Sequence, residues 1–180
     1  GWRRLYQELS LTLGFLGLAF WLLALLTRSS ADPAWTTSGA ATTIHNWGGK
    51  LGAMLADFSF FLLGYTVYWA YAALFSLWLR SLRQRLRGTP PDAPSEDWHD
   101  SSGALGAGLV MLLLASAGLE WTRMYRFEAG VPGHHGGGIM GFIMGQIAYR
   151  WLGFNGSALL FIVFMVVGMS WVFRFSWLQV

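Results

Sequence analysis

The sequence predicts an all-α, polytopic membrane protein that forms a single integral membrane domain over residues 1–180. Hydrophobic residues make up 54% of the chain and charged residues only 12%, which leaves too few polar side chains to cover a soluble domain. Four stretches also reach the length of about 18 or more residues that crosses the hydrocarbon as a helix. We place these spans at about residues 9–27, 48–79, 103–122 and 156–178.

The first span is interpreted as a retained helix. The sequence RSSADP after it is compatible with a signal-peptidase site, but the apolar run exceeds the roughly 7–15 residues of a signal-peptide core. Arg3 and Arg4 precede this span. Because the chain begins with Gly1, we expect a further N-terminal tail before it.

Arginine placement predicts the orientation. The end of the second span carries four arginines, namely Arg80, Arg83, Arg85 and Arg87. Basic flanks of membrane spans stay in the cytoplasm, so both chain ends and a loop over residues 80–102 are expected there. The stretch 88–102 is rich in proline, acid and serine, which favours a flexible connection.

A carboxylate, Asp57, lies well inside the second apolar run, where an unpaired charge costs about 2.5 kcal/mol or more. Gly48, Gly52 and Ala56 recur every fourth residue beside it and predict a stripe for close helix packing. Asn46 and Lys50 fall on the side of Asp57, so this side should face protein.

We therefore expect Asp57 to be a structural polar anchor. Arg123, at the end of the third span, is the preferred partner because a long arginine side chain can reach from the boundary into the membrane. Lys50 is the alternative partner, and Glu120 would cap the network or pair with Arg126. The predicted network comprises Asn46, Lys50, Asp57, Glu120 and Arg123.

Residues 138–152 do not fit a fifth crossing. Their apolar part is about 14 residues long, too short to cross unaided, so a re-entrant or interfacial helix is expected. Gly137, Gly141 and Gly145 recur every fourth residue. They predict a second small-residue stripe that lets a neighbouring backbone approach.

No catalytic, cofactor-binding or metal site is expected. The chain has no cysteine and no GxSxG motif, and GGK at 48–50 lacks the remainder of a phosphate-binding loop. Three histidines, His45, His134 and His135, are the candidate metal ligands. Adjacent histidines on a helix point apart, and no cysteine or carboxylate at i+4 completes a site.

These residues alone are also compatible with a second functional class. Asp57 and Glu120 could belong to a proton or ion path of a small stand-alone transporter or channel, because intramembrane carboxylates often do so. Such a path needs polar groups across the membrane. The second half of the second span offers only hydroxyl groups.

Four segments together resemble a known family. HNWGGKLGAMLADFSFFLLG is followed by SAGLEWTRMYRF with VPGHHGGGIMGFIMG, and then by LGFNGSALLFIVFMVVGMSWVFRFSWLQV. In this order they resemble the N-terminal membrane domain of the FtsK/SpoIIIE-type DNA translocases of bacteria. The resemblance covers nearly the whole chain.

The resemblance implies an inner-membrane anchor at the division septum that helps the division machinery assemble and couples chromosome segregation to septation. The expected partners are the lipid bilayer and other membrane proteins of the division machinery. Homo-oligomerisation, ATP with Mg, and DNA binding are expected only through a motor and a DNA-reading domain outside residues 1–180. The resemblance also implies that Asn46, Gly49, Gly52, Asp57, Glu120 and Arg123 hold the domain together.

Overall fold

The computed structural model describes residues 2–37, 43–87 and 102–174, and every regular element in these ranges is helical. This confirms the all-α class. The helices are α1 Trp2–Leu26, α2 Gly49–Leu63, α3 Val67–Leu86, α4 Ser102–Arg123 and α5 Gly138–Phe173. Short 3-10 turns at Gly64–Thr66, Tyr125–Gly130 and Pro132–His134 complete the regular elements of the described ranges.

The second apolar run forms two helices, which corrects the predicted single helix 48–79. The break falls at Gly64, whose φ of 59° and ψ of −144° lie in a region that is readily open to glycine alone. Beyond the break, α3 continues to Leu86. Residues 80–86 of the expected loop are therefore helical, and residues 88–101 lie outside the described residues.

A second glycine divides α5. Gly153 has φ 66° and ψ −171°, so α5 consists of a first arm over residues 138–152 and a second arm over 154–173. These arms correspond to the expected short helix and the expected fourth span. Residues 175–178 of that predicted span lie outside the described residues.

Close packing of small residues joins α4 to both arms of α5. Gly108 contacts Trp171, and Gly168 contacts Leu112, so the second arm runs antiparallel to α4. In the first arm, Gly141 lies against the Ala117 carbonyl. A separate core cluster joins the first three helices through Ala24, Leu25, Ala56, Phe60 and Val67.

Long-range hydrogen bonds define two ends of the bundle. At the Arg80 end, Arg80 donates to the Val172 carbonyl at 2.6 Å, and the Trp78 indole donates to the Leu11 carbonyl at 2.9 Å. At the Arg123 end, Arg28 donates to the Gly130 carbonyl at 2.8 Å. The segment between α1 and α2 and the turns between α4 and α5 therefore meet at the Arg123 end.

Four helical regions of the described chain are long and apolar enough to cross a membrane by length and composition. They are Glu8–Leu26, Gly49–Leu86, Gly103–Arg123 and Pro132–Phe173. The second and fourth regions are longer than the roughly 20 residues that a span needs, and each contains a glycine break.

Candidate functional site

The first polar centre joins Asp57 to Thr36, in the segment between α1 and α2. One carboxylate oxygen of Asp57 accepts the Thr36 backbone N–H at 2.7 Å, and the Thr36 hydroxyl lies 2.9 Å from both oxygens. Asp57 is only 3% exposed. These bonds satisfy a buried carboxylate and fasten the connecting segment onto α2.

The second polar centre lies in the same connection, around Asp32. Its two carboxylate oxygens accept the backbone N–H groups of His45 at 2.7 Å and Asn46 at 2.8 Å, and the His45 ring lies 3.0 Å away. Burial raises the pKa of Asp32, but these hydrogen bonds lower it, and the net pKa falls below the ordinary value of 3.8. Asp32 thus holds the two ends of the connection together as an anion.

Asn46 extends this centre to the neighbouring helices. Its amide nitrogen donates to the Ala24 carbonyl at 2.9 Å, and its amide oxygen accepts the Gly48 N–H at 2.9 Å. A Cβ at Gly52 would collide with that oxygen. Glycine is therefore needed where Asn46 covers the start of α2.

The third polar centre is Glu120 of α4, which lies at the break between α2 and α3. Its oxygens accept the N–H groups of Tyr65 at 2.9 Å and Thr66 at 3.0 Å. The Thr66 hydroxyl lies 3.2 Å from Glu120 and 3.0 Å from the Ser116 hydroxyl. A helix break inside a membrane frees backbone donors that need new acceptors, and Glu120 supplies them.

Glycines allow three chain segments to meet at this third centre. A Cβ at Gly64 would lie 2.5 Å from a Glu120 oxygen and 2.7 Å from the Gly137 nitrogen. A Cβ at Gly138 would lie 2.6 Å from the Phe61 carbonyl oxygen. The break, the end of α4 and the start of α5 therefore form one junction, which we call the Glu120 junction.

The small residues predicted for helix packing all lie at close approaches or are buried. Gly137 and Gly141 lie against the Ala117 carbonyl, and Gly145 lies against the Trp121 ring. Gly48 and Gly52 lie near Asn46, and Ala56 is fully buried.

The predicted pairing of Asp57 with Arg123 is wrong, because each residue has another partner. Arg123 donates to the Phe154 carbonyl at 2.7 Å, and its guanidinium carbon lies 3.4 Å from the centre of the Phe154 ring. Lys50, the alternative partner, is exposed. Glu120 caps the helix break and does not extend an Asp57–Arg123 network. The five network residues are thus distributed over separate contacts.

Asp32, Thr36 and Thr66 carry bonds that the sequence reasoning missed. Asp32 stands before Pro33 in a short polar segment, which is a turn signal, and this was the only local indication of its role. Thr36 and Thr66 gave no signal, because a single hydroxyl in a loop or an apolar run does not indicate a long-range acceptor.

The described residues offer little to acid–base or metal chemistry. They contain no cluster of three or more histidine, cysteine or acidic side chains able to hold a metal ion. His134 and His135 are exposed, and the His135 ring stacks on Phe142 with centroids 4.6 Å apart. The three buried acids accept hydrogen bonds from backbone and hydroxyl groups, so their arrangement is suited to holding helices together.

Comparison with known proteins identifies the domain. Residues 3–180 match a family model described as the 4TM region of DNA translocase FtsK/SpoIIIE. The match includes all three polar centres. The chain belongs to this family of FtsK/SpoIIIE membrane regions. This confirms the resemblance inferred from the four segments.

Curated FtsK proteins resemble the chain over most of its length. It is 33% identical to DNA translocase FtsK 2 of Ralstonia nicotianae over 98% of the chain and 22% of that protein. It is 34% identical to FtsK of Pseudomonas syringae pv. syringae over 88% of the chain and 19% of that protein. For FtsK of Pseudomonas aeruginosa the identity is 30%, over 98% of the chain and 21% of that protein. No solved structure matches the chain significantly.

The chain spans about a fifth of the length of these FtsK relatives. Its match lies in the four-transmembrane region, so residues 3–180 are a membrane domain and are not themselves catalytic. Family membership and the four apolar helical regions place this FtsK-type domain in the inner membrane, in contact with lipid.

Proposed function

We propose that this domain anchors a DNA translocase in the inner membrane at the division septum. It would help the division machinery assemble and would couple chromosome segregation to septation. The match to the FtsK/SpoIIIE membrane region over residues 3–180 is the observation that carries this proposal. The partners we propose are other membrane proteins of the division machinery.

The proposed orientation puts both chain ends in the cytoplasm. Its support is that the first half of α1 contacts Trp78 of α3 through Leu11, and the end of α5 contacts Arg80 through Val172. The arginines that follow Arg80 make this end the basic side of the domain. A motor domain that uses ATP and Mg to move DNA would then connect on the side where DNA is found. Homo-oligomerisation and DNA binding are assigned to the whole protein.

The first arm of α5 is proposed to be re-entrant. It begins where Gly137 and Gly141 contact Ala117, and the chain after it returns to Arg123 at Phe154. Ala117 and Arg123 are six residues apart, about 9 Å along α4. The arm would therefore enter and leave on one side of the bilayer.

The transporter alternative required Asp57 to line a polar path. Both of its oxygens bond to Thr36, and Glu120 is occupied by the helix break. These contacts favour an anchoring domain.

Imaging tests the proposed location. Residues 1–180 with a C-terminal fluorescent tag would be expressed in dividing bacteria. A band at midcell that appears with constriction is expected, and the exposed-site variant Lys50→Gln should behave alike. Uniform envelope fluorescence from a correctly inserted protein would contradict septal targeting by this domain.

Cysteine labelling tests the orientation, because the chain contains no native cysteine. Ser30→Cys lies in the connection at the Arg123 end, and Arg85→Cys lies at the Arg80 end. Both positions are exposed. In intact spheroplasts an impermeant maleimide should label residue 30 and should label residue 85 only after lysis. The reverse pattern would invert the proposed topology.

A further inference from the structure

A lateral cavity of about 290 Å³ lies between α3, α4 and α5, toward the Arg80 end. Its lining residues are all of apolar types, namely Ala73, Leu77, Leu105, Gly106, Leu109 and Val172. Gly106 is exposed, and a Cβ there would meet nothing within 4 Å. The missing side chain at Gly106 therefore leaves the cavity open to the surroundings of the bundle.

Arginine side chains follow the cavity-lining residues along α3. Arg80 follows the lining residues Ala73 and Leu77 by seven and three positions, so it lies on the same helix face. Its Nη2 donates to the carbonyl of Val172, which also lines the cavity. Arg83 is the next arginine along α3, about 60° around the helix from Arg80, and its side chain is exposed. The apolar cavity is thus followed by a basic rim.

The distance along α3 from the cavity to Arg83 matches the thickness of one leaflet of a bilayer. Ten residues separate Ala73 from Arg83, about 15 Å along a helix. Half of the roughly 30 Å hydrocarbon core is the same distance. A chain in the cavity would therefore bring an attached headgroup to the level of Arg80 and Arg83.

We propose that this cavity is a binding site for an anionic phospholipid, with an acyl chain against Gly106 and Leu109 and the phosphate beside Arg83. The apolar lining excludes a polar ligand from the cavity. The basic rim selects a negatively charged headgroup, as basic pockets between transmembrane helices do. The site is independent of septal targeting, because it needs only the bilayer.

Lipid retention by the purified chain tests the proposal. Delipidated protein in detergent would be titrated with dioleoyl phosphatidylglycerol or dioleoyl phosphatidylcholine, and bound lipid would be counted by native mass spectrometry. Phosphatidylglycerol should bind at least fivefold more tightly, on the basis of one basic residue near a membrane surface. Equal binding of the two lipids would overturn the headgroup selection and with it the proposal.

Matched variants localise the binding. Gly106→Leu fills the cavity and should reduce phosphatidylglycerol binding about tenfold or more. Gly17→Leu makes the same change on α1, where a Cβ also meets nothing within 4 Å, and should leave binding unchanged. Equal losses in the two variants, or no loss in Gly106→Leu, would refute a site in this cavity.

A second pair of variants changes exposed arginines of α3 and leaves the core unaltered. Arg83→Gln should lower the preference for phosphatidylglycerol about fivefold. Arg85→Gln removes the same charge at a position about 160° around α3 from Arg83, and it should have little effect on the preference. If Gly106→Leu did not fold, this pair would still decide the proposal, and equal effects of the two arginine variants would contradict it.

Discussion

The carboxylate of Glu120 accepts the backbone N–H of Thr66 at 3.0 Å, across 54 positions of sequence. The same carboxylate accepts the Tyr65 N–H at 2.9 Å. The interruption at Gly64 removes both donors from the regular helical pattern, and no water is available in a bilayer core to satisfy them. Glu120 therefore stabilises the broken helix by replacing backbone acceptors with a side chain.

Removal of this acceptor should destabilise the domain. Glu120→Ala removes the acceptor of two backbone donors, one buried at Thr66 and one partly buried at Tyr65, and we expect a loss of about 2 kcal/mol or more in the free energy of unfolding. Glu120→Gln keeps one oxygen and should lose about half as much. Unfolding by sodium dodecyl sulfate in mixed micelles measures both. Glu8→Ala, at an exposed position on α1, is the control, and equal stability of the Glu8 and Glu120 variants would disprove the capping role.

Substitutions at Gly64 and Gly153 distinguish a steric collision from backbone strain as the cause of lost stability. Both have positive φ, 59° and 66°, but a Cβ at Gly153 would meet nothing within 4 Å. Gly153→Ala should cost about 1–3 kcal/mol from backbone strain alone. Gly64→Ala adds a collision with Glu120 and Gly137 and should destabilise the domain more. Folded yield and detergent unfolding compare them, with Gly17→Ala as a control; a Gly153 variant less stable than the Gly64 variant would contradict this ranking.

Local periodicity explains what the sequence could predict. The stripe at Gly48, Gly52 and Ala56 and the apolar lengths of the spans follow from helix geometry within one segment. The break at Gly64 was missed because glycine is frequent in transmembrane helices. The break is stabilised by the acceptor at Glu120, and no local pattern connects positions 54 apart.

The partner predicted for Asp57 was also wrong. Charge complementarity favoured Arg123 as the partner of Asp57, because a buried carboxylate is expected to meet a cation. The structure satisfies Asp57 with the hydroxyl and N–H of Thr36. A sequence reveals the sign of a charge, whereas a loop threonine becomes a donor only after the chain has folded back onto α2.

A double-mutant cycle distinguishes these two pairings. Asp57→Asn and Thr36→Val alter one hydrogen-bonded pair, so their effects on unfolding free energy should be coupled by about 0.5–1.5 kcal/mol. Asp57→Asn and Arg123→Gln alter separate contacts and should add to within about 0.5 kcal/mol. The single Asp57→Asn variant should remain assembled. Strong coupling with Arg123, together with additivity at Thr36, would restore the pairing inferred from charge.

Acid should weaken the connection between α1 and α2 through Asp32. The pKa of Asp32 is lowered in the folded protein because His45 and Asn46 donate hydrogen bonds to the carboxylate, although burial opposes this. A lowered folded pKa stabilises the protein fully above the unfolded value of 3.8 and loses that contribution as pH falls through the folded pKa. Thermal unfolding should therefore show a stability advantage of the native chain over Asp32→Asn at pH 6 that shrinks below pH 3.8.

Glu8→Gln provides the control for general acid effects, because Glu8 is exposed. The difference in thermal stability between Glu8→Gln and the native chain should vary less with pH than the difference between Asp32→Asn and the native chain. A constant difference across the acid range would show that Asp32 contributes through its shape and hydrogen bonds and that its ionisation is not required.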